Sequence, residues 1–74
     1  MVRINWDEFK EFRAHRNSQD DNFTTLVYFM KSYYNMSSPV DVYESLANDD
    51  LALMMLEKRD INSAEELESF MFKL

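Results

Sequence analysis

The chain has 74 residues, no Cys, no Gly, a single Pro and a formal net charge of −6. That length is expected to make one helical domain, residues 1–74, and leaves little room for a second. Without Cys there is no disulfide, no thiolate metal site and no thiol nucleophile, so the fold must rest on apolar burial, for which six Phe, four Tyr, one Trp and six Met supply the bulk.

With Gly absent, helix caps must mark the boundaries. Asn5 followed by Glu8 reads as a capping box, with Ile4 and Phe9 placed as a hydrophobic staple. A first helix is therefore expected over 6–15, with Trp6, Phe9 and Phe12 on one stripe. The polar run at 16–22 ends it and supplies the next cap. Phe23, Leu26, Val27, Met30 and Tyr34 recur at i, i+3, i+4, i+7 and i+11 and predict a second helix over 23–34. Asn35, which tolerates the left-handed conformation, is its expected stop.

Ser38-Pro39-Val40-Asp41 sets Ser at the N-cap, Pro at the first helical position and an acid at the third, the strongest helix start in the chain. The third helix is expected over 39–47, drawing its buried face from Val40, Tyr43 and Leu46. Asn48-Asp49-Asp50 reads as a fresh cap, although no breaker prevents the helix from continuing through it. The fourth helix, 49–58, contains Leu51-Ala52-Leu53-Met54-Met55-Leu56, residues that favour helix over strand. Being apolar on every side, it is expected at the centre or partly against a partner. Ser63 with Glu66 is a second capping box. It opens a fifth helix over 64–73, with Leu67, Phe70, Met71 and Leu74 in helical register. The expected fold is all-α, a compact orthogonal bundle of four to five short helices, enclosing Trp6, Phe9, Phe12, Leu26, Met30, Leu51, Met54, Leu67 and Phe70.

The chemistry the sequence allows is narrow. His15 is the only His and lies among Lys10, Arg13 and Arg16, where it reads as a surface group and no metal ligand. No Gly-rich phosphate loop or EF-hand pattern is possible, and a nucleophile–base pair would have to be built around one His. The expectation is no enzyme, no catalytic residue, no metal and no cofactor. No apolar run reaches the length of a membrane span and the N-terminus lacks a signal-type apolar stretch, so a cytoplasmic location is expected.

Charge is unevenly spread. Residues 1–37 carry five acids and five bases, whereas residues 38–74 carry nine acids against Lys58, Arg59 and Lys73. Such a field repels nucleic acid and favours basic protein surfaces. Lys10, Arg13 and Arg16 form one basic cluster, a possible anion contact, set beside Asp7, Glu8 and Glu11 that would pair with it. A fourth and fifth helix read as a helix-turn-helix would put Glu65, Glu66 and Glu68 at the start of the recognition helix, which makes direct nucleic-acid binding an unfavourable reading.

Two surfaces stand out. Tyr28 falls opposite the apolar stripe of the second helix, with Phe29 at its flank. Phe72 falls off the stripe of the fifth, on the side carrying Glu65 and Glu68. Aromatics outside the core are enriched at protein interfaces, yet a helix packed on two sides would bury the same rings internally. The expected function is a small acidic protein-interaction module, a regulator or inhibitor of a larger protein with a basic or apolar surface, of a kind common among phage and mobile-element regulators; a homo-oligomer is compatible with it. The alternatives are a nucleic-acid mimic that fills a basic groove, and a weak nucleic-acid binder acting through Lys10, Arg13 and Arg16.

Overall fold

In a computed structural model of the chain, residues 2–16 and 19–74 are described, so Asn17 and Ser18 of the polar run lie outside the described residues. The helices are α1 (Trp6–His15), α2 (Asn22–Tyr33), α3 (Pro39–Ala47), α4 (Asp50–Lys58) and α5 (Ala64–Phe72). No strand occurs among the described residues. The five together form a compact all-α globule of 29 × 24 × 22 Å.

Short polar side chains start four of the five helices. Asn5 Oδ1 accepts from the Glu8 N–H at 3.2 Å, Asp21 Oδ1 from Thr24 at 2.8 Å, Asp49 Oδ1 from Ala52 at 3.0 Å and Ser63 Oγ from Glu66 at 3.2 Å. Neither capping box closes in the expected way. The Asn5 N–H donates instead to the Tyr34 hydroxyl at 2.9 Å, and Glu66 Oε1 accepts from the Asn62 N–H at 2.9 Å, one residue before the cap. Ser38 makes no side-chain cap bond at all; α3 starts from Pro39 and from the Ser38 carbonyl, which accepts from Val42 at 3.0 Å. Ser38 is the N-cap and Pro39 follows it as expected, but the expected hydroxyl cap bond is not made.

Two non-glycine residues end helices in the left-handed region. Asn35 has φ 57° after α2, as expected, and Asp60 has φ 55° after α4. Around Asp60 the Ile61 N–H reaches the Leu56 carbonyl and the Asp60 N–H that of Glu57, and the buried Ile61 and Leu56 make the apolar contact of a Schellman stop.

The core is centred on α2, with Phe23, Thr25, Leu26, Val27, Phe29 and Met30 buried. α1 lays Phe9 against it, with Trp6 and Phe12 partly covered. α3 adds Val42, Ser45 and Leu46, α4 adds Ala52 and Leu56, and α5 adds Leu67. Three expectations fail in whole or in part. On α3 Leu46 is buried as expected and Tyr43 is half-buried, but Val42 and Ser45 complete the buried face and Val40 is 51% exposed. α4 is not central, and Leu51 and Met54 are each 52% exposed. A nine-residue helix on the outside of a bundle buries one face, so an all-round apolar sequence leaves the other face in water. Phe29, expected at the flank of α2, is fully buried, because α2 is covered on two sides.

Candidate protein-docking surface

The surface residues expected from sequence separate into three groups. On α2 the aromatics are already engaged. The Phe29 ring meets Phe9 and Phe12 of α1 edge-on at 5.6 and 5.3 Å and stacks on Tyr33 at 5.0 Å. Phe29 is therefore a core residue and offers nothing to a partner. Tyr28 is half-buried beneath Arg16, whose guanidinium carbon stands 4.5 Å from the ring centroid.

The basic cluster divides too. Arg16 is held by Tyr28, by the Phe12 ring at 5.6 Å and by Asp20 at 2.9 Å. Arg13 lies 5.6 Å over Phe9 and donates to Asn22 Oδ1 at 3.2 Å. Lys10 is exposed, and neither Lys10 nor Arg13 has a carboxylate within ion-pair distance among the described residues. Both border a cleft of about 250 Å³ between α1 and α4, walled by Trp6, Phe9, Leu51 and Met55. Sequence reasoning missed this cleft. Its signal was the surplus apolar face of α4, but only the fold shows which helix that face adjoins. Trp6 Nε1 donates to Asp49 Oδ2 at 2.9 Å, which ties the start of α4 to the start of α1.

The α5 group stays at the surface. Ser63 caps the helix and Leu67 anchors its inner face at zero exposure, which turns positions 65, 68 and 72 outward. Phe72 is 82% exposed and Glu65 and Glu68 are exposed beside it on the same face. A shallow groove of about 80 Å³, formed by Pro39, Val40, Ala64, Glu65 and Glu68, continues the face onto α3. The result is an apolar ring in an acidic frame.

Little else offers chemistry. No group of three metal-ligating side chains occurs among the described residues. An open hollow of about 570 Å³ is lined by Val2, Arg3, Ile4, Ser45, Asn48, Asp49 and Asp50. Its one hydroxyl, on Ser45, accepts from the Val2 N–H at 3.1 Å and lies 4.0 Å from Met36 Sδ. No described helix is long and apolar enough to cross a membrane.

No family model matches the chain, and no curated protein or solved structure matches it either.

Proposed function

We propose that this protein is a small acidic interaction module of the cytoplasm, a regulator or inhibitor of a larger protein and not an enzyme. The α5 face makes the contact. One observation carries the reading: Phe72 is 82% exposed in a chain that buries or partly covers its other phenylalanines, and exposed acids stand beside it. A large ring left in water is an unrecovered burial term, and interfaces draw their strongest anchors from such rings. Glu65 and Glu68 select a partner with a basic rim and steer its approach. Binding through Lys10, Arg13 and Arg16 to nucleic acid is less favoured, since Arg16 is committed to Tyr28, Phe12 and Asp20.

Affinity capture with wild-type and Phe72→Ala baits tests the reading. Phe72→Ala is expected to keep its helical circular dichroism and to weaken capture by up to about 2 kcal/mol. Reversing Glu65 and Glu68 to Lys is expected to act on association rate. A nucleic-acid mimic gives the opposite pattern: a mild Phe72 effect, a severe reversal effect and binding that collapses with added salt. Unchanged capture by Phe72→Ala would remove α5 as the contact.

A further inference from the structure

We propose that in the absence of the larger protein the α5 face is covered by a second copy of this chain, with Phe72 of one copy seated in the cleft between α1 and α4 of the next. This rests on reading α5 as a docking face and names what that face meets. The two surfaces are complementary in both shape and sign. The α5 face projects one large apolar ring flanked by Glu65 and Glu68. The cleft is a concavity of about 250 Å³ with apolar walls, and Lys10 and Arg13 stand at its border without a carboxylate of their own among the described residues.

Its size suits one large side chain, lying below the roughly 300–1,000 Å³ of small-molecule sites. In a chain of net charge −6, a cleft bordered by two cations is where an acid-framed ring meets attraction instead of repulsion. Seating the ring would also cover Leu51, whose half-exposed side chain forms one wall. The insertion is made in trans, because Phe72 stands in solvent within its own chain. Ring and cleft are different surfaces of the chain, so two copies either exchange rings reciprocally in a closed dimer or add head to tail.

Sedimentation velocity across a concentration series tests this. Wild type is expected to gain mass with concentration. Phe72→Ala, which lacks the ring, and Leu51→Glu, which puts an acid in the cleft wall, are each expected to associate about ten-fold more weakly or worse. The deciding sample is an equimolar mixture of the two variants. It is expected to form a dimer and nothing larger, since the ring of the Leu51→Glu copy fits the intact cleft of the Phe72→Ala copy and no further addition is possible. Should Leu51→Glu lose its helical signal, Lys10→Glu replaces it in the mixture. A wild-type chain that stays monomeric throughout overturns the proposal, as does a mixture that stays monomeric while wild type assembles. If Phe72→Ala still abolishes capture of a different protein while wild type is monomeric, self-association is overturned and the docking role of α5 stands.

Discussion

Arg16 shows how far a residue's role depends on what its side chain covers. In sequence it belongs with Lys10 and Arg13 as a cation available to an anion. In the structure its guanidinium lies over Tyr28 and Phe12 and pairs with Asp20, while its Nε is enclosed with no hydrogen-bond partner among the described residues. The ion pair is roughly one-third exposed on both sides and contributes little by itself. The planar stack on two rings and the buried stem carry the stabilisation. Arg16→Ala is therefore expected to lower stability by about 1–2 kcal/mol, read as a shift in the urea midpoint. Arg16→Lys recovers only part, because an ammonium cannot lie flat between two rings. An unchanged midpoint for Arg16→Ala would mean that the stack carries no load. Nothing in the sequence paired Arg16 with Tyr28, since the two come together only when α1 and α2 pack side by side.

At the level of the helix, capping residues were the readable part of this chain and burial faces the less readable part. Boundaries at Asn5, Asp49 and Ser63 follow from local chemistry, in which a short oxygen-bearing side chain meets an unpaired N–H, and such chemistry needs no knowledge of the fold. Ser38 is the exception that separates sequence preference from geometry: it occupies the N-cap yet its hydroxyl makes no bond there. Ser38→Ala is expected to change stability by less than about 0.5 kcal/mol. Asp49→Ala, which removes both a cap bond and the acceptor of Trp6 Nε1, is expected to cost about 1.5–3 kcal/mol. Thermal or urea unfolding of the two variants side by side checks the contrast, and equal losses would contradict it. The buried faces were harder to read for a reason particular to each helix. α4 is apolar all round, so periodicity gave no reason to place Leu51 and Met54 outside. α2 is covered on two sides, so a single stripe underestimated it and left Phe29 out. On α5 the pattern places Leu67 inside, as found, but leaves Phe72 open between core and surface and counts Leu74, which is exposed, with the apolar stripe.

Across the whole molecule, the rings are arranged in two groups. One runs from Trp6 through Phe9 and Phe29 to Phe12, Tyr33 and Tyr34, and joins α1 to α2. The other is the Phe23–Phe70 pair, with Arg59 over both rings and paired to Asp21, which joins the start of α2 to α5. The N-terminal segment is fastened over the first group by hydrogen bonds of long reach. The Tyr34 hydroxyl accepts from Asn5 N–H and donates to the Arg3 carbonyl, Val2 binds Ser45 and Trp6 binds Asp49, the last two across 43 residues of chain. These distant closures have a consequence in time. Helices and their immediate neighbours assemble from local encounters, whereas a closure across 43 residues must wait until both ends have a surface to meet on. The segment 2–6 is thus expected to settle after the folding barrier has been crossed, as a latch on a bundle already formed. Removing the Tyr34 hydroxyl, as in Tyr34→Phe, should then accelerate unfolding by roughly five-fold, for a loss of about 1 kcal/mol, and leave the refolding rate in stopped-flow experiments nearly unchanged. A slowed refolding limb would place the latch inside the nucleus. Late closure makes the N-terminal segment what limits how long the molecule, once folded, remains so.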